Sequence, residues 1–321
     1  MSTRARGRRA RARRRSLQSG QAAPRTRRMK LAVIGVGVMG SAIARRLLDT
    51  GAAVHVHDVL AERSALLAQQ GAEIAVSARA ATALADFVIL SLNTAQVVEN
   101  AVFGADGVAA AADSSKLLID MSSIDPRATA ALALRLARAT GMGWVDAPLS
   151  GGAPAAAHGG LTLMVGGSDA DVARARPVLA RLSNHMTHLG AVGSGQTVKL
   201  VNQILCAGTF IAVAEATRFA EQLGVDATRI PAALAGGRAD SRILQEFMAK
   251  MARRDFSPTG RIDNMLKDLE TVQATALQQR IALPLTALVA ELHRMLVAGG
   301  FGAADSAAYV QLFDLGAQRT Q

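Results

Sequence analysis

The chain has 321 residues, half of them apolar, enough for two domains with full cores. Its net charge of +11 suggests nucleic acid, but residues 1–30 hold 12 of the 36 Lys and Arg and no Asp or Glu, leaving 24 basic against 25 acidic residues beyond them. That near-neutral remainder argues against a nucleic-acid partner, the single Cys206 excludes an internal disulfide, and no 18 uninterrupted apolar residues mark a membrane span.

Residues 1–28, MSTRARGRRARARRRSLQSGQAAPRTRR, have almost no large apolar side chains and are expected to form a disordered basic tail. Two readings of it stand together: a start taken too early, with Met29 the true first residue, and an arm without function. An Arg-rich, acid-free leader also reads as a transit peptide, while the lack of an apolar run after the arginines argues against a secretory signal.

From Lys30 onward, short apolar runs alternate with helical periods. KLAVIGVG (30–37) predicts a buried strand entering a turn, SAIARRLLDTG (41–51) a helix closed by glycine, AVHVHD (53–58) a second strand and AERSALLAQQG (61–71) a second helix. DFVILSL (86–92) and KLLIDMS (116–122) are continuous apolar runs of the parallel-sheet kind. PRATAALALRLARATG (126–141) opens on proline and closes on glycine, as helices do. GWVDAPLSG, LTLMVGG and MTHLG add strands before about residue 190. The alternation predicts an α/β Rossmann-like, doubly wound sheet over residues 29–192. After Gly195 the strand signals stop. Helices are expected at roughly 196–223, 226–236, 240–253, 262–279, 284–298 and 305–318, so residues 193–321 read as an all-α C-terminal domain.

Gly35-Val36-Gly37-Val38-Met39-Gly40 is a G-x-G-x-x-G run that follows a predicted strand and opens a predicted helix, with Asp58 18 residues past Gly40. That context makes it a dinucleotide fingerprint. Gly35 permits the tight turn, Gly37 lets a pyrophosphate approach the backbone, Gly40 allows close packing, and the helix N-terminus attracts the anion. A carboxylate at Asp58 would hold the ribose hydroxyls and repel a 2′-phosphate. Arg63 comes only a turn later, so NAD is expected rather than NADP.

Two further stretches carry chemistry. In DAPLSGGAPAAAHGGL (146–161), a serine before two glycines offers a hydroxyl and exposed N–H groups suited to a carboxylate, although an ordinary glycine-rich loop explains it equally well. In GSGQTVKLVNQIL (193–205), Lys199, Asn202 and Gln203 sit at i, i+3 and i+4 on one helical face. From the helix alone, a solvated lysine with a snorkelling stem would be the better explanation. No histidine pair stands at i, i+4 beside a carboxylate, so no metal is expected.

GVGVMGSAIARRL, DMSSIDP, DAPLSGG, GSGQTVKLVNQ and KDLE, in this order and spacing, resemble the β-hydroxyacid dehydrogenases over about residues 30 to 315. The resemblance implies an NAD-dependent enzyme interconverting a small β-hydroxyacid and its semialdehyde. Lys199 matches the general acid/base. Ser150, Gly151 and Gly152 match the loop that holds the substrate carboxylate, with Asn202 and Gln203 beside it. Ser123 matches a residue near the nicotinamide, and Lys267 a lysine reaching back to the cofactor and substrate cleft. Gly35, Val36, Gly37, Val38, Met39, Gly40 and Asp58 match the cofactor loop. Leu92 and Asn93 stand where the family carries a Leu-Pro pair, and Gln203 where many members have asparagine.

KLVNQ, GGRADSRIL and GRIDNMLKDLE resemble the tartronate semialdehyde (2-hydroxy-3-oxopropionate) reductase branch most. Arg238, Asp240 and Arg242 are expected near the substrate pocket. A 3-hydroxyisobutyrate dehydrogenase or a C4 semialdehyde reductase is the alternative. An imine reductase and a non-catalytic binding protein of the same scaffold are disfavoured by Lys199. A cytoplasmic homodimer or homotetramer acting on a small carboxylate, with no membrane partner, is the expected setting.

Overall fold

The computed structural model describes residues 28–257 and 259–314. The basic tail up to residue 27 and the end of the last expected helix, 315–318, lie outside these residues. In chain order the first part holds β1 (Lys30–Ile34), α1 (Val38–Asp49), β2 (Ala53–His57), α2 (Ala61–Ala68), β3 (Glu73–Ile74), α3 (Ala78–Ala83), β4 (Phe87–Leu90), α4 (Ala95–Phe103), β5 (Leu117–Asp120), α5 (Pro126–Thr140) and β6 (Gly143–Asp146). The strands form one parallel sheet in the order β3-β2-β1-β4-β5-β6, the doubly wound arrangement expected from the alternation.

Successive residues of a strand point to opposite faces, and the core divides accordingly. Leu31 and Val33 join one apolar cluster with Ile43 and Leu47 of α1, while Ala32 and Ile34 join the other with Leu136 of α5 and Trp144. Both faces are covered, which is why these strands read as unbroken apolar runs. Helix α5 starts where Asp125 accepts from the Arg127 and Ala128 N–H groups, with Pro126 in the first turn, and stops at Gly141 in a left-handed conformation, φ 77°.

The next three apolar runs do not extend this sheet. β7 (Leu149–Ser150), β8 (Leu161–Val165) and β9 (Ser183–His188) form a separate sheet, β7 antiparallel and β9 parallel to β8. Two helices lie between them, α6 (Gly152–His158) inside the expected glycine-rich loop and α7 (Asp169–Leu179).

The remainder is helical: α8 (Ser194–Gln222), α9 (Ile230–Leu234), α10 (Arg242–Arg253), α11 (Ile262–Gln279), α12 (Pro284–Leu296) and α13 (Gln311–Asp314). The helix expected over 284–298 ends at Leu296 and passes into a wide turn, Val297–Phe301, with Gly300 at φ 88°. The stretch from 305 begins as a 3₁₀ turn, Ser306–Val310, before α13. By length and composition α8 is long and apolar enough to cross a membrane. Here it is the central core helix, packed on β8, α10, α11 and α12, with Ala207, Phe210, Ile211 and Ala214 in the helical core. Val201 and Leu205, on its other side, remain exposed.

Candidate active site

The C-terminal ends of the six parallel strands bring their loops to one edge, the crevice where doubly wound sheets bind ligands. After β1, Gly35 turns at φ 83°, and a Cβ on Gly40 would overlap the Gly35 carbonyl oxygen. At Gly37 the nearest atom to an added Cβ is Arg63 Nη1 at 4.0 Å, so the front of the loop is open. Among the described residues no side chain caps the α1 N-terminus, which leaves its N–H groups available to an anion. Val38 is largely exposed over this loop, Met39 is half-buried, and Val36 is buried with its N–H donating to Asp58 Oδ2 at 2.8 Å.

Asp58 therefore ties the glycine loop to the end of β2. Its Oδ1 also accepts from the Leu60 N–H at 2.9 Å. Arg63, a turn away in sequence, comes within 3.6 Å of the same carboxylate. Sequence spacing alone had set that guanidinium apart from it.

Across the crevice, α8 carries Lys199. Its Nζ donates to the Leu149 carbonyl at 2.8 Å and to Gln203 Oε1 at 3.0 Å. Asn202 Nδ2 donates to the same Gln203 oxygen at 2.8 Å. Gln203 is fixed in turn by donating from Nε2 to Asp268 Oδ2 at 2.5 Å. Burial pulls the Lys199 ammonium below the ordinary lysine range, the Asp268 carboxylate opposing the shift. Burial likewise pushes the Cys206 thiol up, two turns further along the helix.

Lys267 on α11 donates to the carbonyls of Asn93 at 3.1 Å and Ser123 at 2.9 Å, and pairs with Asp268 Oδ1 at 2.9 Å. It thus joins the helical part to the loops after β4 and β5. Leu92 sits in that first loop, its N–H donating to Ser122 Oγ at 3.1 Å. Ser123 Oγ is buried with no partner among the described residues. An unpartnered hydroxyl is a cost unless a ligand meets it. With the open glycine cradle and the uncapped helix, it fits a bound dinucleotide.

Lys199 is joined directly to the Leu149 carbonyl, which immediately precedes Ser150, Gly151 and Gly152 in the chain. Gly151 at φ 120° and Gly152 at φ 68° turn this stretch into α6, and Thr259 of the helical part faces Gly152. Arg238, Asp240 and Arg242 take no part in the lysine network. Asp240 accepts from Gly236 and Gln245, Arg242 pairs with Glu246, and Arg238 is exposed. Three contributors were not singled out from sequence: Asp268, Asp146 and Gln196. Asp268 stands next to Lys267 in KDLE, and the other two lie inside motifs already quoted, which was the only signal available.

Comparison with known proteins matches this architecture. Residues 30–190 match the family described as the NAD binding domain of 6-phosphogluconate dehydrogenase, and residues 193–313 the one described as NAD-binding of NADP-dependent 3-hydroxyisobutyrate dehydrogenase. The chain is similar to the 2-hydroxy-3-oxopropionate reductase of Escherichia coli (strain K12), 37% identical over 287 residues, 89% of this chain and 98% of that protein. It is similar to the NAD-dependent L-serine dehydrogenase of Pseudomonas aeruginosa, 33% identical over 293 residues, 89% of this chain and 98% of that one. Among solved structures, 3-hydroxyisobutyrate dehydrogenase of Mycobacterium tuberculosis with L-serine matches at a TM-score of 0.80 and 30% identity, over 89% of this chain and 99% of that chain. The chain belongs to the β-hydroxyacid dehydrogenases, oxidoreductases that act on CH–OH groups and bind NAD through a Rossmann domain.

Proposed function

We propose that this enzyme reduces 2-hydroxy-3-oxopropionate with NADH, with Lys199 as the general acid. One observation carries the reading: a desolvated lysine bonded to Leu149 O at 2.8 Å, beside the Ser150-Gly151-Gly152 turn. The 37% identity to a reductase of that name supports the choice of substrate. Residues 29–192 are read as the NAD-binding part and 193–321 as the part for substrate and association.

Bound NADH supplies the hydride. Gly35, Gly37 and Gly40 shape the loop that would admit its pyrophosphate, Val38 and Met39 open the helix behind it, and Asp58 would face the ribose. Leu92, Asn93 and Ser123 would line the nicotinamide side, with Lys267 bracing the Asn93 and Ser123 carbonyls. The Ser150 hydroxyl and the Gly151 and Gly152 N–H groups would hold the substrate carboxylate. An ammonium has three N–H donors. Leu149 O and Gln203 Oε1 take two, and the third would point at the substrate's carbonyl oxygen. As the carbon gains the hydride, Lys199 gives that oxygen a proton, leaving an alcohol and a neutral amine. In the reverse direction the amine takes the proton back, with Asn202 and Gln203 holding it in line.

The test is NADH oxidation on tartronate semialdehyde, succinic semialdehyde and methylmalonate semialdehyde. Tartronate semialdehyde should show the highest kcat/KM; a clear win for methylmalonate semialdehyde would favour a 3-hydroxyisobutyrate dehydrogenase instead. NADH should beat NADPH, because Asp58 opposes a 2′-phosphate, although Arg63 beside it softens the discrimination. A preference for NADPH would overturn the role given to Asp58.

Self-association is the expected partner interaction. Leu205 and Phe219 on α8, Leu223 just past its end, and Leu277, Leu285 and Leu288 near the α11–α12 turn, leave large apolar side chains exposed. Light scattering should give the mass of a dimer or tetramer; a monomer at micromolar concentration would refute this.

A further inference from the structure

The side chains that touch Lys199 do not account for how its helix is aligned with the loop after β5. We propose that Gln196, held from behind by Asp146, is a positioning residue that locks the Lys199 turn of α8 to the Ser123 loop. This rests on the reading of Lys199 as the acid/base.

Gln196 is fully buried, one helical turn before Lys199. Its Nε2 donates to Ser122 O at 2.8 Å, and its Oε1 accepts from the Ile124 N–H at 3.2 Å. The amide thus grips the backbone on both sides of Ser123. One donor and one acceptor at the end of a three-bond stem are needed here. Glutamate cannot donate, methionine can do neither, and asparagine is a methylene short. Buried amides are costly unless paired, and this one is paired at both ends.

Asp146, the last residue of β6, is also fully buried. Its Oδ1 accepts from the Gly193 N–H at 2.8 Å and its Oδ2 from the Gln196 N–H at 2.9 Å, capping α8 from another element. A Cβ at Gly195 would stand 2.8 Å from Asp146 Oδ2, so glycine is required for this approach. Three residues after Asp146, Leu149 O receives the Lys199 ammonium. Two rungs therefore tie the 146–149 stretch to one turn of α8, and Gln196 carries the alignment on to Ser122 and Ile124. Lys267 holds Ser123 O from the other side at 2.9 Å. Ser123, its hydroxyl still unpartnered, is fixed at three backbone points. Neither Gln196 nor Asp146 touches Lys199 Nζ, so both act through the backbone they hold.

The experiment compares Gln196→Met, Gln196→Glu and Asp146→Asn with wild type and Lys199→Ala. The full chain is assayed with NADH and tartronate semialdehyde, well below each variant's Tm. Gln196→Met keeps the volume and loses both bonds. Its kcat should fall by about tenfold to a hundredfold, the usual effect of an ångström-scale misplacement, with substrate KM moving by less than about threefold. The basic limb of its pH profile should move toward the ordinary lysine range, since a displaced Lys199 meets more water, with Asp268, Lys267 and Cys206 as its remaining charged or titrating neighbours. Without cofactor, hydrogen exchange at the Ile124 amide should speed up by about tenfold or more. Glu should not rescue it. Asp146→Asn, which turns one acceptor into a donor facing an N–H, should move kcat and the pH limb the same way, and stands in if Gln196→Met fails to fold. A lower Tm with wild-type kcat and pH limb means a merely structural role and overturns the proposal. Near-normal turnover in Lys199→Ala would sink the lysine reading itself. An inactive Lys199→Ala beside a fully active Gln196→Met would sink the bridge alone.

Discussion

Lys199→Ala should lower kcat by about 10² to 10⁴-fold, the contribution typical of a positioned general acid or base. The change removes the proton donor and leaves the glycine loop untouched, because neither Asp58 nor the 35–40 turn bonds to Lys199. NADH affinity, read by fluorescence on the folded variant, should therefore hold. Two buried acceptors, Leu149 O and Gln203 Oε1, lose a donor, so about 1–3 kcal/mol of stability goes as well. Lys199→Arg should not restore turnover, since a guanidinium does not release its proton at working pH. The pH profile gives an independent check. Burial lowers the Lys199 pKa from the ordinary value of about 10.4, and the ammonium is the form needed for reduction. Reduction should thus fall as pH rises through a value below that, and oxidation should rise through the same value. Lys199→Ala should lack both limbs. Near-normal turnover in the alanine variant would refute the mechanism, and loss of NADH binding would mark the lysine as structural.

Most of the parallel sheet was legible because β1, β4 and β5 are apolar runs buried on both faces, whereas the exposed two-residue β3 and the short α3 and α4 carry no such signal. What apolar runs do not encode is the partner strand. LTLMVGG and MTHLG are strands, yet they pair with each other and with Leu149–Ser150 rather than with β6. Helix α6 was hidden because glycines at φ 120° and φ 69° bracket it, and from sequence they look like loop residues. The lysine face was readable since Lys199, Asn202 and Gln203 are neighbours by helical spacing alone. Asp268 was not, because its partner Gln203 lies 65 residues away, and Gln196 meets Ile124 across 72. Contacts of that range are set by how the sheet and helices pack, which no local period reports. Arg63 shows the same limit at short range, since the turn after β2 folds it back onto Asp58.

Asp120→Asn should make the enzyme more stable at neutral pH and remove a specific part of its pH dependence. Asp120 ends β5 opposite Asp146 in the sheet register and is fully buried. Its Oδ1 accepts from the Ser122 N–H at 3.0 Å, while its Oδ2 has no partner among the described residues. Burial raises its carboxyl pKa to about 6, and the nearby Asp146 charge adds to the rise. The unfolded value is about 3.9. A folded pKa above the unfolded one means the stabilising contribution is complete below about pH 4 and is lost as pH rises through about 6. A shift of about two units corresponds to roughly 3 kcal/mol. Asparagine keeps the accepting oxygen for Ser122 and never ionises. The variant should therefore gain about 3 kcal/mol over wild type at pH 7.5, and the gap should close toward pH 4. Thermal melts of both proteins across that range decide it; a gap that is absent, reversed or independent of pH would refute the account. Turnover on the same samples tells why a carboxylate stands there. Asp120 anchors the Ser122–Ser123 turn that Gln196 and Lys267 grip from the helical side, so a stabilised variant with reduced kcat would mark the buried charge as a local strain maintained for function.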